Sequence, residues 1–102
     1  MLVVLTTTPN EREAEDLAEK IVAEKLAACV QILPQMKSVY FWDGAVQKES
    51  EHLLLIKTLP EKFDVLAKFI QANHSYETPE IAALKAADVS ENYFNWIKDS
   101  LE

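Results

Sequence analysis

A chain of 102 residues, 49% hydrophobic and with a formal charge of −7, has the length of one compact domain, residues 1–102, and the apolar content for one core. The acidity argues against a nucleic-acid partner, whose phosphates require clustered Lys and Arg, and no stretch approaches the ~20 apolar residues of a membrane span. The single cysteine, Cys29, excludes an internal disulfide framework and fits a reducing cytoplasm, while the single glycine, Gly44, leaves no material for a glycine-rich phosphate cradle.

Residues 2–8, LVVLTTT, are apolar and β-branched, as in a buried strand. The opening MLVVLTTTPN has no basic n-region and too short an apolar run for a signal peptide, so it reads as that strand. Residues 10–26, NEREAEDLAEKIVAEKL, predict a helix. Asn10 stands at its N-cap with Glu13 three residues on, the spacing of a capping box. Ala14, Leu17, Ala18, Ile21 and Val22 form one apolar stripe.

Residues 27–58, AACVQILPQMKSVYFWDGAVQKESEHLLLIKT, contain the clearest turn. Asp43-Gly44 between two apolar runs is a two-residue hairpin signal that sets Trp42 opposite Ala45 and Tyr40 opposite Gln47. Strands of roughly 14 residues would each reach ~45 Å, about twice the usual length, so the hairpin overshoots its own domain. Pro34 lacks an amide donor and marks an edge or bulge where the ribbon bends.

Residues 58–74, TLPEKFDVLAKFIQANH, predict a second helix with Thr58 as cap, Pro60 in the first turn, and Phe63, Leu66, Ala67 and Ile70 facing inward. Residues 79–86, PEIAALKA, predict a short strand. Residues 90–102 predict a last helix capped by Ser90, with Tyr93, Phe94, Ile97 and Leu101 inward. The order βαββαβ plus a terminal helix predicts a ferredoxin-like α+β sandwich, a fold that hosts many functions and settles none. For a domain this small, oligomerisation adds stability.

Between the second helix and the last strand lies HSYETPEI, residues 74–81. His74, Glu77 and Glu80 are acceptable donors to Zn(II) or Cu(II), but a dedicated site needs three or four rigid ligands, and a histidine ending a helix is often only a charge partner there. Cys29 with His74 has the residue types of a thiolate–imidazole nucleophile. Cys29 lies in the apolar LAACVQ, however, where a free cysteine usually behaves as a small hydrophobe. An RNA-binding sheet needs stacking aromatics on its central strands, and LVVLTTT has none. Acyl-phosphate chemistry needs a phosphate cradle beside an arginine, and the only arginine, Arg12, stands inside the first predicted helix. Tyr40 and Trp42 offer stacking surfaces to a ligand, but at hairpin spacing aromatics more often serve packing or an interface.

Taken together, AEKLAACVQILP, SVYFWDGAVQKESEHLLLIKT, HSYETPEI and ENYFNWI resemble the CutA family of divalent-cation tolerance proteins, in order and over nearly the whole chain. The resemblance implies a ferredoxin-like fold, a tight cytoplasmic homotrimer and a link to heavy-metal tolerance, copper included; it implies no catalytic activity. The family is also similar in structure to the PII signal proteins, so a PII-like small-molecule signal trimer is the first alternative and a Cys29/His74 hydrolase the second. The family's copper positions fall on Thr6, Asn73 and His74, of which only His74 is a good copper ligand. The resemblance thus implies His74 as a metal residue toward Cu(II) or Zn(II). Cys29, Trp42, Lys57, Tyr76 and Glu80 match its recurrent residues, and Pro79 does too. We expect Lys57, His74, Tyr76 and Glu80 to line a pocket with Cys29 beneath, closed by a neighbouring subunit and taking a metal ion or small ligand. The plainer expectation for Lys57 and Glu80 is an ion pair tying the hairpin to the last strand.

Overall fold

The computed structural model describes residues 1–102. Its elements are β1 (Leu2–Thr8), α1 (Glu11–Ala23), β2 (Cys29–Trp42), β3 (Ala45–Thr58), a 3-10 turn (Pro60–Lys62) leading into α2 (Phe63–Asn73), β4 (Ala82–Lys85) and α3 (Glu91–Ser100). The strands form one antiparallel sheet in the order β2-β3-β1-β4. This is the ferredoxin-like α+β arrangement expected from the element order.

Register decides what each sheet face carries. Leu2, Val4 and Thr6 of β1 stand opposite Thr58, Ile56 and Leu54 of β3, and all six are buried. Against this face pack Ala14, Leu17 and Ile21 of α1 and Leu66 and Ile70 of α2. Each fully buried Leu or Ile contributes about 1.5–3 kcal/mol, which fixes the helices to this side. The opposite face carries Val3, Leu5, Leu53 and Leu55, and the chain's own helices leave these half-exposed. A solvated antiparallel face normally alternates to polar residues, and this one does not.

Asn10 caps α1 as expected, its Oδ1 accepting from the Glu13 amide at 2.8 Å. The helix ends at Ala23, before the predicted Leu26. Lys25 turns left-handed at φ 56°, and the Leu26 amide closes onto the Ile21 carbonyl at 3.0 Å. Glycine usually takes this position, and a lysine here costs about 1 kcal/mol. Val22, expected inward, is 41% exposed.

Thr58 does not cap α2. It is the last residue of β3, and its buried hydroxyl donates to the Leu26 carbonyl at 2.7 Å. Leu59 occupies the cap position of the 3-10 turn with no side-chain hydrogen bond. Ser90 stands at the cap of α3, again with no side-chain bond. There Ile97 and Leu101 bury against Leu59 beside Met1 and Ala28, forming a small second core at one end of the sheet.

The overlong hairpin is present. β3 pairs with β1 only as far as His52, so residues 45–51 pair with β2 alone. At ~3.3 Å per residue this two-stranded arm extends ~23 Å beyond the sheet, and it draws the molecule out to 46 × 26 × 23 Å. The ladder shifts register between Leu33 and Met36, the bulge expected at Pro34. Asp43 (φ 53°) and Gly44 (φ 76°) both take positive φ, as a type I′ turn requires. Trp42 faces Ala45 and Tyr40 faces Gln47, as the two-residue turn predicts.

Candidate ligand-binding cleft

One face of the arm has the same parity throughout: Tyr40 and Trp42 on β2, Glu49 and Glu51 on β3. The loop 74–81 lies against its base. Together they border a half-open cavity of about 620 Å³, lined by Thr7, Tyr40, Trp42, Glu49, Glu51, Ser75, Tyr76, Glu77, Thr78 and Glu80. That is within the size range of small-molecule sites.

The loop is pinned at four places, one of them the Glu77 carbonyl, which accepts from the Gln71 side-chain amide at 2.8 Å. The His74 Nδ1 accepts from the Tyr76 amide at 3.0 Å, so the proton sits on Nε2, which donates to the Thr7 carbonyl at 2.7 Å. The Ser75 amide and hydroxyl both donate to the Glu13 carboxylate, each at 3.0 Å. Glu13 therefore spends its carboxylate on this loop rather than on the reciprocal arm of the capping box. The Tyr76 hydroxyl donates to Glu51 Oε2 at 2.9 Å, and its ring lies 4.9 Å from the His74 ring.

Glu51 is the unusual residue here. It is only 9% exposed, yet Tyr76 is its one side-chain donor. A buried carboxylate ordinarily needs a cation or several donors. Desolvation, then the hydrogen bond to Glu51, hold the Tyr76 phenol well above its ordinary value, so Tyr76 remains a donor. Tyr40 is shifted in the same direction, by desolvation and then by Glu49. Neither Lys nor Arg is among the ten lining residues, so the walls are acidic and aromatic.

The predicted site residues divide. Trp42, Tyr76 and Glu80 line the cleft. His74 stands behind it, with both ring nitrogens engaged by backbone groups. Lys57 and Cys29 do not join them within one chain. They face each other across β2 and β3, six residues from Glu51 along β3, or roughly 20 Å. The Lys57 ammonium lies over the Tyr93 ring, 5.4 Å from its centroid, and not against Glu80. Cys29 and His74 are likewise apart. Lys57, opposite Cys29, pairs with Val3 of β1, whereas His74 bonds Thr7, four residues on and roughly 13 Å away. Of the copper positions, Thr6 is fully buried with its hydroxyl unpartnered, and Asn73 donates back to the Phe69 carbonyl at 2.9 Å. No three His, Cys, Asp or Glu side chains of one chain are grouped to hold a metal ion.

Sequence reasoning missed Glu49 and Glu51. The signal was available: counting outward from Asp43-Gly44 puts them on the face of Tyr40 and Trp42. What could not be counted was the loop 74–81, which turns an exposed strand face into a cleft.

Comparison with known proteins gives a consistent result. The family model described as CutA1 divalent ion tolerance protein matches residues 2–100. The chain is 46% identical over 99 residues to a chloroplastic CutA protein of Arabidopsis thaliana, covering 97% of this chain but 54% of that one, so it spans about half of that relative's length. It is 40% identical over 100 residues to a divalent-cation tolerance protein CutA of Yersinia pestis, covering 98% of this chain and 84% of the other. The crystal structure of CutA1 from Oryza sativa superposes with a TM-score of 0.95 at 44% identity, covering 97% and 91% of the two chains. With the family model, the sequence relatives and the solved structures in agreement, the chain belongs to the CutA1 family of divalent ion tolerance proteins.

Proposed function

We propose that the protein acts in divalent-cation tolerance as a non-enzymatic homotrimer that binds a small ligand in a cleft between subunits. The observation that carries this reading is the cavity between the arm and the loop 74–81, floored by the part-buried Glu51–Tyr76 pair. A largely covered carboxylate with one side-chain donor and no Lys or Arg of its own chain in the same wall has bonding capacity left for a ligand. Assembly is supported by the apolar open face around Leu53 and Leu55 and by an arm that outruns its own sheet. A closed three-fold ring gives each face and each arm a neighbour to cover it. Direct Cu(II) or Zn(II) binding at His74 would break one of its two backbone bonds, so the reading gives His74 a structural part and the cleft the ligand.

Native mass spectrometry of the protein from a gentle lysate tests both halves. The expected result is three subunits, with a small mass that is retained by the wild type and lost in Glu51→Ala. A monomer, or a trimer whose retained mass is indifferent to Glu51, refutes the reading.

A further inference from the structure

We infer that the ligand of this cleft is a compact organic cation, an ammonium or quaternary ammonium group held between aromatic faces and carboxylates. The inference rests on the cleft being the functional site and adds the chemical class of what enters it. Three properties of the walls point the same way. Glu51, Glu49 and Glu80 place carboxylates around one space, and none of the residues that one chain contributes to its lining carries a positive charge. Glu51 is only 9% exposed and lines the cavity, Tyr76 is the one side chain that donates to it, and no Lys or Arg of the same chain stands in that wall. Tyr40, Trp42 and Tyr76 border the same space with ring surfaces.

Each wall element selects. An anion would meet the carboxylates and find no donor but hydroxyls. A neutral apolar molecule would cover the carboxylates without offering them a donor or a charge. A bare divalent ion needs oxygen, nitrogen or sulfur donors converging on one point, and rings contribute nothing to its inner shell. An organic cation uses both surfaces: its diffuse charge is attracted to ring faces within about 6 Å of their centroids and to the carboxylates, while its carbon atoms displace water from the rings. A cavity of about 620 Å³ also exceeds what a single ion fills.

Trp42 lies in the wall and Trp96 lies on α3, outside it, so indole N–H resonances report on the site with an internal control. The assembled protein is titrated with choline and, in parallel, with 3,3-dimethyl-1-butanol, which has nearly the same shape and no charge. Choline should shift the Trp42 resonance saturably, leave Trp96 unmoved, and bind at least tenfold more tightly than the neutral probe. Glu51→Gln, which keeps an acceptor for Tyr76, should weaken choline at least tenfold, and Trp42→Leu should do likewise. Equal binding of the two probes overturns the inference. So does choline binding that appears only in Lys57→Met, which would put the protein's own ammonium in the cleft. Saturable Trp42 shifts with Zn(II) or inorganic phosphate but not choline leave the cleft a ligand site and refute the ligand class alone. No response to any of these probes, with Glu51→Gln silent too, removes both.

Discussion

His74 shows how a residue that looks like a ligand is used when its geometry is known. Its two ring nitrogens join the Tyr76 amide to the Thr7 carbonyl, so it fastens the loop 74–81 to β1. His74→Ala should cost about 1–3 kcal/mol in chemical denaturation, the range for leaving partly buried partners unmade. Unchanged stability with Cu(II) binding abolished would make it a metal ligand instead. Tyr76 offers a pH test. Its pKa is raised in the folded chain, by desolvation and then by Glu51, so the folded state holds the phenolic proton more tightly than the unfolded state. Its contribution is therefore complete below the ordinary tyrosine value of about 10 and is lost as pH rises above it toward the raised value. Wild type should lose stability above about pH 10 more steeply than Tyr76→Phe. Parallel pH profiles would contradict that assignment.

At the scale of elements, the arm depends on two left-handed residues, Asp43 and Gly44. A Cβ on Gly44 would meet nothing within 4 Å, so substitution there is penalised by φ alone. Gly44→Val should destabilise by about 1–2 kcal/mol and Gly44→Asn by clearly less, because Asn tolerates positive φ and Val does not. Equal losses in thermal denaturation would mean that the turn has relaxed to another type. Helix α1 illustrates a second kind of economy. Its cap uses Asn10, which frees Glu13 to hold Ser75 by two bonds. The first turn of the helix thus positions the cleft loop as well as starting the helix.

The whole molecule is a sheet with apolar residues on both faces, α1 and α2 packed on one of them and α3 at one end. Leu53 and Leu55 face away from α1 and α2, and Phe41 (71% exposed) and Val46 (64%) leave apolar surface on the arm. If a second copy covers the open face, Leu55→Glu should dissociate the assembly while far-ultraviolet circular dichroism stays native, because Leu55 lies outside the helix-side core. Light scattering should fall from three subunits to one. A variant that stays trimeric would place the interface elsewhere, and one that unfolds would show that the fold requires assembly.

What the sequence determined by itself was local. Periodicity of apolar residues drew the helices and strands, Asn10 and Asp43-Gly44 set a helix start and a hairpin register, and Pro34 marked a bulge; all of these act through neighbours in the chain. The motifs identified the family for the same reason, since they are contiguous strings. It failed where a side chain had a distant partner to choose. Thr58, a helix cap by sequence, instead bonds the Leu26 carbonyl, and Lys57, a pocket residue by sequence with an ion pair to Glu80 as the alternative, lies over Tyr93 within one chain. Glu51 looked like one more surface acid in KESEHLLL until tertiary folding laid Tyr76 across it. Only the tertiary structure decided which carboxylate is buried, because burial and pairing depend on how separate elements stack in space, and no periodicity along the chain encodes that distance.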